Sequence, residues 1–342
     1  MAHGSGGTQM STLISEVFTN AYGNELLLTG DDAAVLELQG MSEPGARLAF
    51  STDSYVVTPH FFAGGDIGRL AVCGTVNDIA TSGAHPCYLS LGFILEEGFP
   101  LNDLKRVVAS IAEAAKEAEV QIVTGDTKVV ERGTGDGIYI NSSGVGVISP
   151  EVHLSGSYCR PGDVLLLSGT LGDHGITIIS TREGLSFDAP VESDAAPLNS
   201  LVAAVCDAAP SIRCFRDPTR GGLASTLNEL AHQSGTCMIV DEDRVPVKDA
   251  VRGACDLLGY DLYHVANEGK MVAVVGPEDA QAALEAMRQT PYGREAAAIG
   301  TVVNPDEAGL AHSSVAQAYV RTPLGTLRIM DMLTGEQLPR IC

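Results

Sequence analysis

The stretch "DIGRLAVCGTVNDIATSG" at residues 66–83 predicts a helix closed by a glycine, because its apolar residues recur at three- and four-residue spacing. A strand is predicted on each side of it, at "RLAFSTDSYVV" (47–57) and "PCYLSLGFIL" (86–95). An amphipathic helix at "LNDLKRVVASIAEAAKEA" (101–118) and a strand at "VQIVTGD" (120–126) come next. This alternation is typical of α/β or α+β proteins.

The alternation returns after a change in composition near residue 155, where the loop-like "SGSYCRPGD" precedes a buried-type strand, "VLLLSG". Further strands are predicted at "SIRCFRD", "GTCMIVD", "GKMVAVVG" and "EAAAIGTVV", and helices at "GGLASTLNELAHQSG", "DAVRGACDLLG" and "PEDAQAALEAMRQT". With 342 residues the chain is long enough for two domains. We predict them at residues 1–155 and 156–322, followed by a mobile tail at residues 323–342 that carries Pro and Gly breakers.

The charge balance argues against a nucleic-acid partner. The chain has 43 acidic and 21 basic residues, a formal net charge of -22, and the acidic residues are spread along it. No run approaches the roughly 20 apolar residues that a membrane helix needs, and "MAHGSGGTQM" lacks the regions of a signal peptide. We therefore predict no membrane association and a cytoplasmic location.

The eight cysteines show no CxxC pair and no zinc-ligand spacing, so a structural metal is not expected. Most of them lie in apolar segments and are expected to be small buried hydrophobes. Cys342 differs because it lies in the predicted mobile tail, where a thiol is open to oxidation unless its reactivity is used. From Met332 to Cys342 the tail could extend on the order of 30 Å, far enough to carry the thiol between two sites.

Five short glycine or aspartate clusters recur in the first half, and we expect them at strand-to-loop junctions. They are "HGSGG" (3–7), "GDDAA" (30–34), "STDS" (51–54), "VND" (76–78) and "GDTK" (125–128). Gly-Asp is also common turn chemistry, so each cluster alone is a weak signal. Carboxylates that converge would repel one another unless a cation held them, and hard oxygen ligands suit Mg²⁺ bridging phosphates. Together the clusters therefore indicate a nucleotide.

The phosphate-binding architecture is neither a P-loop nor a Rossmann fingerprint, since GxxxxGK[ST] and a helix-opening GxGxxG are both missing from the sequence. The glycine-rich "HGSGG" would let backbone N–H groups approach an anion, and Lys128 could meet a phosphate as a point charge. In "RDPTRGG" (216–222), Asp217, Thr219 and Arg220 precede two glycines and a helix, which predicts either an anion-binding helix start or a simple N-cap. His174, in "SGTLGDHG" (168–175), could titrate in a site or be structural.

Taken together, these motifs, with "ANEGK" (266–270) and the terminal "PRIC" (339–342), closely resemble the HypE family of hydrogenase maturation proteins within the AIR synthetase-like (PurM-like) ATP-binding superfamily. The resemblance covers nearly the whole chain, except residues 36–47 and 182–200. The acidic and glycine clusters are shared across the superfamily, whereas the "PRIC" terminus marks the HypE family. The resemblance implies an N-terminal α/β domain that pairs in a homodimer to build a β-barrel-like core, a C-terminal α+β domain, and ATP between them.

The resemblance also implies site residues. Phosphate and nucleotide would be bound by His3, Gly4, Ser5, Gly6, Gly7, Asp53, Asn77, Thr127, Asp217, Thr219 and Arg220. Mg²⁺ would be held by Asp31, Asp32, Asp78 and Asp126. Members of the family receive a carbamoyl group on the last cysteine from the carbamoyltransferase HypF, and use ATP to dehydrate it to a thiocyanate. The cyano group passes to iron held by HypC and HypD.

For this chemistry we expect Cys342 to carry the group, Glu268 to act as the base, and Lys128 to stabilise phosphate or carry a proton. In the tail, Pro339 would stiffen the approach, Arg340 would offset the α-carboxylate, and Ile341 would anchor in an apolar slot. A related synthetase is the nearest alternative. Selenophosphate synthetase would usually carry a reactive Cys or Sec near the N-terminal glycine loop, and neither it nor aminoimidazole ribonucleotide synthetase explains "PRIC". A carrier that only switches with nucleotide is the other alternative.

Overall fold

A computed structural model describes residues 33–37, 45–185, 190–308, 316–333 and 341–342, together with the single residues Thr8, Thr12 and Ser15. The described residues form two large mixed sheets, and helices pack against each of them. No helix within those ranges is both long enough and apolar enough to cross a membrane.

The first sheet contains five strands in the order β1-β2-β7-β5-β6. The strands of this half are β1 (Ala34–Glu37), β2 (Arg47–Tyr55), β5 (His85–Glu96), β6 (Gln121–Val130) and β7 (Ile138–Ile148), with a small separate pair, β3 (Phe61–Phe62) and β4 (Gly65–Asp66). Neighbours in the five-stranded sheet are antiparallel except β5 and β6, which run parallel. A parallel pair needs a crossover, and the helix between β5 and β6 provides it.

Two helices, α1 (Ile67–Thr81) and α2 (Leu101–Glu117), accompany this sheet, and α1 lies against β2, β5 and β7. Helix α1 begins at Asp66, whose carboxylate accepts hydrogen bonds from the backbone N–H groups of Gly68 and Arg69 at 2.7 and 3.1 Å. Most of α1 is buried, since it lies between the sheet and α2. Helix α2 is amphipathic and turns its charged face to solvent, as its sequence predicts.

The second sheet contains seven strands in the order β14-β13-β10-β12-β8-β11-β9. They are β8 (Val164–Leu167), β9 (Ile212–Arg216), β10 (Cys237–Asp241), β11 (Val272–Val275), β12 (Ala297–Val303), β13 (Ala318–Arg321) and β14 (Leu327–Ile329). The accompanying helices are α3 (Asp173–Glu183), α4 (Asn199–Ala208), α5 (Gly222–Ser234), α6 (Asp249–Leu258) and α7 (Ala280–Gln289). Only β10 and β13 pair in parallel among these described strands. The α/β class predicted from the sequence is confirmed.

A continuous apolar core connects the two halves of the chain. It joins side chains of α1, α2 and the first sheet to Ile176, Ile178, Val251 and Val265 of the second half. Two further clusters fill the second sheet and its helices. The site described below lies where the shared core meets the polar segments of both halves.

Two sequence expectations differ from the structure. The "STDS" and "GDTK" clusters lie inside strands β2 and β6, and "VND" lies inside helix α1, so none of the three is at a strand-to-loop junction. Their flanking residues continue the strand or helix pattern, so the polar side chains project from a strand or a helix and not from a loop. In addition, β14 pairs with β13 beyond residue 322, so regular structure extends into the segment predicted to be a mobile tail.

Candidate active site

Ile341 lies inside the molecule, and the last residue, Cys342, is half-buried beside it. Ile341 is only 5 % exposed and belongs to the apolar core shared by the two halves, and Cys342 packs against the same core. These two residues therefore dock against a core to which both halves of the chain contribute. Apolar burial of the Ile341 side chain contributes on the order of 2 kcal/mol to holding it there.

The side chain of His174, on helix α3, binds the backbone of the docked terminus. Its ring Nε2 donates to the carbonyl oxygen of Ile341 at 2.7 Å, and its Nδ1 contacts the hydroxyl of Ser193 at 2.8 Å. Burial lowers the pKa of His174 below its ordinary value, so the ring is neutral near pH 7. Sequence reasoning noticed this histidine without assigning it a role.

A hydrogen bond joins the side chains of Cys342 and Glu268. Glu268 is 3 % exposed, and its Oε1 has no hydrogen-bond partner within the described part of the chain. Burial, followed by the charges of Asp217 and Asp194, raises the pKa of Glu268 well above its ordinary value. Glu268 is therefore a stronger base than an exposed carboxylate, which suits proton abstraction.

The thiol of Cys342 is protonated in this position. Burial raises its pKa well above the ordinary value, and the Glu268 carboxyl group adds to that shift. Arg220 opposes that shift because its positive charge favours the thiolate form, and the same coupling to Cys342 is the largest cause of the raised pKa of the Arg220 guanidinium. Arg220 thus lies close enough to the sulfur for electrostatic coupling, although burial decides the outcome.

Two of the predicted carboxylates approach the same region from the first half. Asp78 accepts a hydrogen bond from the hydroxyl of Ser51 at 2.8 Å, and Asp53 accepts one from the hydroxyl of Tyr55 at 3.1 Å. The pKa of Tyr55 is raised well above its ordinary value, first by burial and then by the negative charges of Asp53 and Asp78. Both carboxylates therefore lie near the Tyr55 hydroxyl. Asp53 also raises the pKa values of Glu268 and Cys342, which places it beside the tail.

The segment from Asp217 to Arg220 leads directly into helix α5. That helix begins after Gly221, in the left-handed region at φ +79°, and no side chain caps its first turn. Gly222 also has a positive φ, and a Cβ there would meet the Tyr263 carbonyl oxygen at 2.6 Å. The uncapped N–H groups fit the anion-binding alternative better than the simple N-cap.

Asn77 links helix α1 to the second half. Its Oδ1 accepts a hydrogen bond from the N–H of Leu198 at 2.7 Å, and its Nδ2 donates to the carbonyl oxygens of Ala196 and Glu268 at 3.0 and 3.4 Å. The side chain is 1 % exposed. These contacts place Asn77 against the backbone that carries Glu268.

An ion-pair cluster beneath the Glu268 loop was missed by sequence reasoning. Lys270 Nζ lies 2.9 Å from Asp194 Oδ2, and Asp194 Oδ1 accepts the backbone N–H of Glu268 at 3.1 Å. Burial alone would raise the pKa of Asp194, but Lys270 outweighs it and holds that pKa below its ordinary value. Asp173 completes the cluster by accepting from Lys248 at 3.0 Å. Asp194 lies in residues 182–200, where no motif was found.

The other predicted site residues lie away from the Cys342–Glu268 pair or outside the residues that the structure describes. Asp126, Thr127 and Lys128 lie on the exposed edge strand β6, and Lys128 makes no ion pair with any residue that the structure describes. Thr219 lies in the loop before α5. The remaining residues lie outside the described ranges: His3, Gly4, Ser5, Gly6, Gly7, Asp31, Asp32, Pro339 and Arg340. Within the described ranges no group of three or more His, Cys, Asp or Glu side chains could hold a metal ion.

Comparison with known proteins identifies the arrangement. Residues 30–148 match the AIR synthase related protein, N-terminal domain, and residues 160–313 match the AIR synthase related protein, C-terminal domain. These matches lie in the two halves of the chain, while the predicted domain limits themselves stay a prediction.

The similarity to individual proteins is high along the whole chain. The carbamoyl dehydratase HypE of Azotobacter vinelandii is 57% identical over 342 residues, covering 100% of this chain and 96% of the relative. The crystal structure of the hydrogenase maturation protein HypE in complex with ATP has a TM-score of 0.83 and 51% identity, and the match covers 99% of this chain and 98% of that one. A crystal structure of a HypE–HypF complex has a TM-score of 0.85 and 47% identity, covering 94% and 99%. The chain therefore belongs to the HypE family of AIR synthase related proteins.

Proposed function

We propose that this chain is an ATP-dependent carbamoyl dehydratase of hydrogenase maturation that converts an S-carbamoyl group on Cys342 into a thiocyanate. The observation that carries the proposal is the hydrogen bond between the half-buried side chain of Cys342 and the buried side chain of Glu268. It brings the sulfur that would carry the group to a carboxylate with a raised pKa. The relatives named carbamoyl dehydratase HypE support the same reaction.

The chemistry requires the carbamoyl oxygen to leave and two protons to be removed from nitrogen. Oxygen is a poor leaving group, and ATP supplies a phosphoryl group that turns it into phosphate. Overall, the S-carbamoyl group and ATP give the thiocyanate, ADP, phosphate and one proton. Glu268 Oε1, which has no partner in the described chain, would accept an N–H proton as the C≡N bond forms. Asp194 would keep the Glu268 backbone in place while this happens.

The residues around the tail fit a triphosphate in charge and in hydrogen-bond donors. Arg220 and the uncapped first turn of α5 offer positive charge and N–H groups. Asp53 and Asp78 would hold Mg²⁺ together with phosphate oxygens and water. Because the described residues supply only a partial ligand set, the predicted contributions of Asp31, Asp32, Asp126 and the "HGSGG" loop remain part of the proposal. The same holds for Lys128 as a phosphate stabiliser or proton carrier.

Carbamoylation would take place with the tail outside the site. A thiolate is the nucleophile, and the docked Cys342 holds its proton because burial raises its pKa. The tail would therefore leave to meet the carbamoyltransferase HypF, in line with the HypE–HypF complex of a relative. It would then dock for dehydration and leave again to pass the cyano group to iron held by HypC and HypD.

The homodimer is proposed on the exposed face of the first sheet. Large apolar side chains are exposed there: Phe50 at 43 %, Tyr88 at 48 % and Ile94 at 45 %. The opposite face is covered by α1, so this face is the one available for a second copy. Pairing of two such sheets would build the predicted β-barrel-like core. The cytoplasmic location stays a prediction.

Intact-protein mass spectrometry tests the reaction. The full chain is incubated with HypF, carbamoyl phosphate and ATP, and we expect it to gain the mass of one carbamoyl group and then lose that of one water molecule. Cys342→Ala should gain nothing, whereas Cys87→Ala, which removes a partly exposed cysteine of β5, should behave like wild type. A carbamoyl adduct that persists in the presence of ATP would indicate the carrier alternative instead.

A further inference from the structure

The backbone of the docked tail is held by a side chain of the second half. The Ile341 carbonyl oxygen accepts a hydrogen bond from His174 Nε2, and the His174 ring is fully buried. This contact is one peptide away from the Cys342 sulfur. Any shift of the His174 ring would therefore displace the thiol relative to Glu268.

The hydrogen-bond pattern fixes the tautomer of His174. A carbonyl oxygen can only accept, so Nε2 must carry the proton. Ser193 Oγ accepts the N–H of Ala195 at 3.2 Å and donates its own proton to Nδ1. The neutral ring thus has its donor directed at the tail and its acceptor occupied by Ser193.

The surroundings make this ring a rigid support. Phe62 of β3 packs edge-on against it with ring centroids 5.6 Å apart. The N–H of Ser193 donates to the Ala63 carbonyl oxygen at 2.8 Å, so the hydroxyl that orients His174 is itself fixed to the first half. The neighbouring Asp173 is bound by Lys248.

We propose that His174 is the positioning residue that holds the docked tail so that Cys342 meets Glu268, and that Ser193 sets its tautomer. The consequence for catalysis rests on the proposed dehydratase function, whereas the consequence for tail docking does not. Removing the donor would leave the buried Ile341 carbonyl unsatisfied, which should increase the undocked fraction about 10-fold.

Thiol alkylation of the full chain measures docking without any turnover. Cys342 in the His174→Phe variant, which keeps a ring but lacks the donor, should react with iodoacetamide about 10-fold faster than in wild type. His174→Gln retains an N–H donor and should recover part of the protection, while Ser193→Ala should lie between the two. Cys87, on strand β5, is the internal control and should react at one rate in all four proteins. Equal Cys342 rates in wild type and His174→Phe, or equal rates in the Phe and Gln variants, would overturn the proposal.

A second measurement connects docking to the reaction. Chains carbamoylated beforehand are mixed with ATP, and the loss of water in a single turnover is followed by mass. His174→Phe should be slowed about 10-fold with ATP affinity unchanged, and His174→Gln should be faster than His174→Phe. Increased alkylation with an unchanged dehydration rate would refute the positioning role. If wild type never loses water, the dehydratase proposal fails, and the alkylation series still decides whether His174 holds the tail. Circular dichroism of each variant checks that the fold is intact.

Discussion

Glu268 and Cys342 share a hydrogen bond in the interior, although one belongs to a loop before β11 and the other to the end of the chain. Burial raises the pKa of each side chain, so the free thiol holds its proton and the Glu268 carboxylate is a stronger base than an exposed one. The site therefore suits the dehydration of an S-carbamoyl group, because that reaction needs a base and does not need a thiolate.

Replacement of Glu268 by Gln should stop dehydration while sparing the other steps. Loss of a general base typically slows a reaction by about 10²–10⁴-fold, and amide and carboxyl groups have nearly the same shape. Carbamoylation and ATP affinity should stay near wild type. The measurement is single-turnover mass spectrometry, with Glu285→Gln on the surface of α7 as the control. Undiminished thiocyanate formation in Glu268→Gln would remove this residue from the mechanism.

The same variant should change how stability depends on pH. A carboxyl whose folded pKa is raised contributes stability that is present below its ordinary pKa of about 4.3 and is lost as pH rises towards the folded value. Wild type should therefore lose more stability than Glu268→Gln as the pH rises above about 4.3. Denaturant unfolding at each pH would show the difference, and parallel curves for the two proteins would contradict the raised pKa.

Gly269 should tolerate no side chain. A Cβ there would overlap the Asp194 carbonyl oxygen and lie 2.8 Å from its carbonyl carbon, so the loop carrying Glu268 would have to move. We expect Gly269→Ala to lose about 2 kcal/mol or more of stability, together with dehydration activity. Gly253→Ala is a matched control, because a Cβ there, within α6, meets no atom within 4 Å. That control should be neutral or slightly stabilising, and equal unfolding midpoints would refute the close approach.

Asn77→Leu separates a structural role from nucleotide binding. Leucine has a similar volume but would leave the N–H of Leu198 and the carbonyl of Ala196 without their partner. The expected loss is about 2–4 kcal/mol in the free energy of unfolding. Asn102→Leu, at the exposed start of α2, should cost much less. Weaker ATP binding with unchanged stability would instead favour the predicted contact of Asn77 with nucleotide.

The homodimer proposal predicts that a charge on the exposed face of the first sheet separates the copies. Ile94→Arg should convert the protein from dimer to monomer in analytical ultracentrifugation, because an unpaired charge in an apolar interface is costly. Leu257→Arg, at a position 73 % exposed on α6, should leave the mass unchanged. A monomeric wild type, or a dimeric Ile94→Arg, would contradict this interface.

Local patterns predicted the regular elements well, because α1, α2 and β5 carry strong periodicity and clear end signals. The site was only partly accessible to the same reasoning. Glu268 and Arg220 stand in recognisable motifs, but Asp194 meets Lys270 through folding across 76 residues and has no sequence signal of its own. An apolar anchor for Ile341 was predicted, but the residues that receive it were not, since burial of a short tail depends on a core assembled from both halves.

Ser193 bonds both to Ala63 in the first half and to the ring of His174, which in turn holds the tail. Docking of the terminus and the Ser193–Ala63 contact between the two halves are therefore thermodynamically linked. By reciprocity, whatever weakens the Ser193–Ala63 contact also promotes release of the terminus, and a docked terminus strengthens that contact by the same free energy.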